Sequence, residues 1–170
     1  SYGVSLMNDC KYGYSMKNRV MTQTLIKSGT EPNLTADQEE HFFTYALYPH
    51  AGTWREAGTE QEALNLNVPA KAVAGAAEKD RMEFLSVDKR DVVLETVKKA
   101  EDGDGVIVRL YEVENARTKV TLHCAEAIAS AEETDLLENP IEGALGVKEN
   151  EIELTIKPYE IRTIRIRTAK

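Results

Sequence analysis

VVLETVKKAEDGDGVIVRLYEVENAR, Val92–Arg117, decides the fold. Two strand-length apolar runs flank the tetrad Asp102–Gly105, and Asp-Gly pairs supply the left-handed backbone that a tight hairpin needs. Working outward, FLSVD (84–88), KVTLHCAE (119–126), IASAEETDLLE (128–138), EIELTIKP (151–158) and EIRTIRIRT (160–168) repeat the strand-and-turn pattern. ENAR (114–117) and KEN (148–150) are the turns between neighbours. In the last run Ile161, Ile164 and Ile166 interleave with Arg162, Arg165 and Arg167, with a phase slip at Thr163, which predicts one buried and one wet face. Seven short antiparallel strands at regular spacing argue for a small, seven-stranded, Ig-like two-sheet sandwich over residues 82–170.

Upstream, YGVSLM (2–7), GYSMK (13–17) and RVMTQTLIKS (19–28) are short strand-like runs separated by Asn8-Asp9 and Lys17-Asn18, and they read as an antiparallel meander. GTEPNLTADQEE (29–40) is a polar surface loop. EHFFTYALYPH (40–50) is apolar on both sides, as a strand lying centrally between packed layers would be. The period then changes: Thr59 with Glu62 offers a capping box, Ala63, Leu64 and Leu66 give an apolar stripe, and Pro69 stops one short helix. Residues 71–81 are small and weakly patterned and suit a linker, although their Ala and Glu content also suits a helix. The fold class expected is mainly β, with residues 1–70 ahead of the linker and the small sandwich behind it.

Composition narrows the function. The chain has 170 residues, 42% hydrophobic and 29% charged, with net charge −8. No basic face interleaved with aromatics is visible, which argues against a nucleic-acid partner. No apolar run reaches the roughly 20 residues that span a bilayer, which argues against a membrane. Cys10 and Cys124 fit no metal-binding or disulfide spacing and read as reduced, mostly buried thiols, which predicts a cytoplasmic location. The start at Ser1 reads as a cut from something longer.

His41, His50 and His123 stand alone, without the short-spaced partner that zinc sites use, so no metal site is expected. His123 and Cys124 are strand neighbours whose side chains diverge, which makes a poor nucleophile and base. Two segments concentrate other chemistry. In NDCKYGY, residues 8–14, Asn8 and Asp9 suit a tight turn, with Tyr12 and Tyr14 packing; the same polar and aromatic groups suit a sugar. In YPHAGTWREAG, residues 48–58, Trp54 and Arg55 suit either a domain contact or a sugar-stacking platform. Carbohydrate-contact candidates are therefore Asn8, Asp9, Lys11, Tyr12, His50, Trp54 and Arg55, and no catalytic residue is expected.

Several words resemble one family. VSLMNDCKYGY (4–14), EEHFFTYALYPHAGTWREAGT (39–59), EALNLNVP (62–69), LSVDKRDVVLETVKKAED (85–102), VIVRLYEVENAR (106–117), ETDLLE (133–138) and IKPYEIRTIRIR (156–167) are similar, in order, to the C-terminal portion of glycoside hydrolase family 38 alpha-mannosidases of the bacterial and cytosolic type. The resemblance runs from Tyr2 to Arg167. It implies that residues 1–70 are closing strands of a large antiparallel β-sandwich. An upstream catalytic domain would carry the zinc and the nucleophile of a retaining mechanism, so this chain would hold no cofactor and show no activity by itself. Its partners would be that catalytic domain of the same polypeptide, mannosides, and further copies in a homo-oligomer. The competing reading is a self-standing carbohydrate-binding sandwich, which fold alone does not separate from a supporting region.

Overall fold

The computed structural model describes residues 1–76 and 80–169. The chain divides into two compact units, Ser1–Ala74 and Gly75–Lys170. The expected linker at 71–81 spans this division, and its residues 77–79 lie outside the described residues.

In the first unit, β1 (Tyr2–Asn8) does not continue into a meander. Its partner is β4 (Tyr45–Ala51), antiparallel from Tyr2 opposite Ala51 to Asn8 opposite Tyr45. The cause is local: Asp9 exchanges hydrogen bonds with Thr44, its N–H donating to the Thr44 carbonyl at 3.2 Å and both carboxylate oxygens accepting from the Thr44 N–H at 3.0 Å. That clasp brings the end of β1 to the start of β4. Between them β2 (Gly13–Lys17) and β3 (Val20–Thr24) form a separate hairpin. Its two-residue turn has Asn18 at φ 51° and Arg19 at φ 64°, the positive pair whose twist matches a right-handed ribbon.

Opposed residues share a face, so Gly3 and Ser5 of β1 lie beside His50 and Tyr48 of β4. Helix α1 (Thr59–Asn67) covers that side. Tyr48 Oη donates to the Ala57 carbonyl at 3.1 Å, and Thr59 Oγ1 meets Ser5 Oγ at 2.8 Å. Gly3 is required here, because a Cβ would stand 2.4 Å from His50 Cε1. The opposite face carries Tyr2, Val4, Tyr45 and Leu47, all exposed. β4 is thus covered on one side only, not on both as its sequence suggests.

The helix begins where expected but is capped differently. Gly58, left-handed at φ 65°, is the N-cap residue, and no side chain caps α1. The Thr-x-x-Glu box is used six residues earlier: Glu56 Oε2 accepts from the Thr53 N–H at 2.7 Å, and the Glu56 N–H returns a bond to Thr53 Oγ1 at 3.3 Å. The Thr59 hydroxyl is already engaged with Ser5.

The second unit is a two-layer sandwich. One sheet has the order β10-β9-β13-β7-β6, built from β6 (Val92–Lys99), β7 (Val106–Glu112), β9 (Ile128–Thr134), β10 (Pro140–Ala144) and β13 (Ile161–Thr168). The other runs β11-β12-β8-β5, from β5 (Leu85–Val87), β8 (Thr118–Cys124), β11 (Val147–Lys148) and β12 (Glu151–Ile156). All seven anticipated strands are present, joined by the short β10 and β11. The core lies between the layers: Val108, Leu110, Ile164 and Ile166 from one sheet pack with Val120, Leu122, Ile152 and Ile156 from the other, each at most 2% exposed.

Two features lock this sandwich. The Asp102–Gly105 turn closes against β13 so tightly that a Cβ on Gly105 would lie 2.6 Å from the Ile166 carbonyl oxygen. Glu112, buried at the end of β7, accepts from the N–H groups of Glu114 at 2.7 Å, Tyr159 at 2.9 Å and Ala116 at 3.0 Å. Burial pushes the Glu112 carboxyl up, but these backbone donors outweigh it and hold it below the ordinary glutamate value.

The outer face of β13 is not wet. Arg165 is 6% exposed, with its guanidinium bonded to Asp102 Oδ2 at 2.5 Å and to the Glu138 carbonyl at 3.3 Å. Beside it Arg167 pairs with Asp104 at 2.7 Å and Glu132 at 2.9 Å. The alternation of Ile and Arg is real, but the β9–β10 connection folds over the arginine side, and Ile107 beneath it is fully buried.

Candidate functional site

The sequence candidates fall in two places within the first unit. Asn8 closes the turn after β1: its Oδ1 accepts from the Cys10 N–H at 3.0 Å and from the Lys11 N–H. The Thr44 N–H, then the Cys10 side chain, lower the Asp9 carboxyl below its usual range. Lys11 Nζ stands 4.8 Å from the centre of the Phe43 ring, a cation–π contact. Asn8 and Asp9 therefore cap backbone donors as their residue types suggest. Tyr12 does not pack as expected, being 90% exposed, and Cys10 is exposed and not a buried thiol.

His50, Trp54 and Arg55 lie at the other place, beside a groove of about 440 Å³. Val4, Ser5 and Leu6 of β1, Tyr14 and Met16 of β2, Met21, Trp54 and Thr59 are in its lining. His50 is buried beneath it, with Nε2 at 3.1 Å from Ser5 Oγ and Nδ1 at 3.3 Å from the Ala51 carbonyl. Arg55 stacks on Trp54, its Cζ 4.9 Å from the ring centre. Trp54 thus carries a guanidinium on one ring face.

The groove can grip apolar groups and offer hydroxyls, but it cannot run glycoside hydrolysis. Retaining hydrolysis needs two carboxyl groups about 5 to 5.5 Å apart across the sugar. The groove lining holds no carboxylate. Among the described residues no cluster of three or more His, Cys, Asp or Glu could hold a metal ion. His41 Nε2 is engaged with the Asp37 carbonyl at 3.1 Å, and His123 Nδ1 lies 3.3 Å from Glu151 Oε1, its partner across the β8–β12 ladder.

Sequence reading passed over Ser5, Met16 and Met21, took Thr59 only as a helix cap and left Tyr14 off the candidate contacts. The unexpected β1–β4 pairing is what assembles them, and no spacing along the chain announces it. A second concavity, of about 450 Å³, lies on the second unit against Thr134, Leu136, Leu137, Ile141, Ile161 and Thr163.

The construction is a complete two-layer sandwich preceded by strands that, among the described residues, bury only His50. Residues 91–164 match the glycosyl hydrolases family 38 C-terminal beta sandwich domain. Over 96% of its length it is similar to "Alpha-mannosidase 2C1" of Mus musculus (37% identical) and of Homo sapiens (36%), and to "Alpha-mannosidase G" of Dictyostelium discoideum (33%). It spans 16% of the length of each. The fold is shared with a crystal structure of a protein in the glycosyl hydrolase family 38 from Enterococcus faecalis, at TM-score 0.71 and 21% identity, covering 96% of this chain and 20% of that one. Among the described residues no helix is long and apolar enough to cross a membrane.

Proposed function

We propose that this chain is the non-catalytic C-terminal region of a zinc-dependent, retaining alpha-mannosidase that removes terminal alpha-mannose. Its role is to support the catalytic domain and the assembly of a cytoplasmic homo-oligomer. Zinc and both catalytic carboxyl groups belong to the remainder of the polypeptide.

One observation carries this reading: the first unit has strands but no core. His50 is its one buried residue among those described, while Tyr2, Val4, Tyr45 and Leu47 open an apolar face to solvent. A sheet face of that kind is stable when covered. Strands 1–8 and 45–51 therefore read as closing strands of a larger sandwich whose other layer lies elsewhere in the polypeptide. A self-standing sugar-binding module would align its exposed aromatics, whereas Tyr2 and Tyr45 of the open face stand at opposite ends of the β1–β4 ladder and Trp54 is already stacked by Arg55.

Hydrogen exchange tests the reading. In the isolated 170-residue chain the β1–β4 amides exchange at least about a hundredfold faster than the β8–β12 amides, and in the full-length enzyme both ladders are protected. Equal protection of the two ladders in the isolated chain refutes it. Titration of the isolated chain with alpha-mannosides leaves the amides of Asn8–Tyr14 and Pro49–Glu56 unmoved; saturable shifts there would favour the binding module.

A further inference from the structure

The second unit has a full core, yet its β9–β10 connection holds two leucines out of it. Leu136 is 60% and Leu137 82% exposed, and Ile141 and Ile161 beside them are 48% and 60% exposed. Scattered exposed leucines are ordinary. This pair differs because the backbone that presents it is fixed at every turn. Asp135 Oδ1 accepts from the N–H groups of Leu137 at 2.8 Å and Asn139 at 2.9 Å, while Oδ2 takes the Asn139 amide at 3.0 Å. Arg109 donates to the Leu136 carbonyl at 3.0 Å, and Arg165 donates to that of Glu138. Glu138 pairs with Lys98 at 2.8 Å and accepts from the Glu101 N–H at 2.8 Å. A loop held this firmly loses little conformational entropy on binding, which is the property of a preformed contact surface. Between the leucines and the two isoleucines lies the concavity of about 450 Å³, large enough for one or two apolar side chains.

We propose that the Leu136–Leu137 tip and the hollow beside it are a docking point for an apolar surface in the remainder of the same polypeptide. Area decides the occupant. Four aliphatic side chains offer on the order of a few hundred Å², against the about 1,200–2,000 Å² that free partners bury in a stable complex. A second copy is therefore held too weakly by this patch alone. A tethered partner meets it at an effective concentration of about millimolar, where a small preformed patch suffices. Relatives in which this chain is 16% of the length supply that tethered partner. The inference rests on the supporting role proposed above and adds where the second unit makes contact.

The test is thiol labelling with a bulky maleimide, in a Cys10→Ser background that keeps the buried Cys124, of two reporters, Leu137→Cys and Met16→Cys. Each is made in the isolated chain and in the full-length enzyme, with the labelled peptides located by mass. Both positions are exposed, so neither change disturbs the core. The expected result is labelling at Leu137→Cys at least tenfold slower in the full-length enzyme than in the isolated chain. Equal rates at Leu137→Cys overturn the docking point. If Met16→Cys is protected in that same sample, the supporting role survives and only this contact fails. Slowing at Leu137→Cys in the isolated chain as its concentration rises, with dimers in sedimentation, would make a second copy the occupant and also overturn it.

Discussion

The two units use the same secondary structure to opposite ends. In the second, the alternating apolar side chains of β7, β8 and β12 find a layer to pack against, and all the buried apolar side chains of the described residues lie there. In the first, β1 and β4 pair with perfect register and still leave half their apolar side chains in water. A ladder of backbone hydrogen bonds is thus not a domain. What separates the units is a second sheet, and a strand carries no mark in its sequence that says who supplies that sheet.

The comparison breaks first at the core. Ile152→Ala, at a fully buried position between the layers, costs about 2–5 kcal/mol. Leu47→Ala, on the open face of β4, changes the stability of the isolated chain by no more than about 0.5 kcal/mol. Urea unfolding of both variants checks this, and equal losses would mean the first unit has a hidden core. Under the supporting role proposed above, the Leu47 change gains weight in the full-length protein, where its face would be covered.

Glu112 sharpens the contrast next. Its Gln variant costs about 1–3 kcal/mol, since three backbone donors lose their anionic acceptor. The sign in pH follows from the lowered folded value. The carboxylate's contribution is complete above the unfolded glutamate value of about 4.3 and is lost as pH falls through the lower folded one. Acid unfolding of the second unit therefore has a steeper limb in wild type than in Glu112→Gln. Matching limbs would remove Glu112 from the account.

The smallest effect belongs to the turn after β1. Asn8→Ala frees the N–H groups of Cys10 and Lys11 for at most about 1 kcal/mol. It moves their amide resonances and leaves the melting of the second unit where it was. A shift in that melting would show coupling between the units.

Much of this was legible along the chain. GYSMK at 13–17 is β2 to the residue, and the alternation of Ile and Arg in EIRTIRIRT places Ile164 and Ile166 in the core. Partners and coverings were less so. β1 and β4 are joined across 36 intervening residues by Asp9, which reads locally as a turn former, and Thr44, which reads as part of a strand. β10 was missed because Pro140 and Gly143 are turn residues in isolation, with Gly143 at φ 116° inside an irregular edge strand. The arginines of β13 looked wet because an alternating polar face usually is; the acids that cover them come from the Asp102–Gly105 turn and from Glu132 and Glu133 of β9, partners that no spacing along the chain announces. Of the site candidates, Asn8 and Asp9 followed from residue type. The meeting of Trp54 with Tyr14 and Met16 required knowing where the hairpin lies.

One feature of the larger sheet bears on biosynthesis. β13 is last in chain order and central in space, seated between β9 and β7. Until residues 161–168 leave the ribosome, β7 and β9 each present an unfilled edge, and Arg165 is not there to neutralise Asp102 and Glu132. The sandwich therefore closes from the middle, in one late step, after all its other strands have been made.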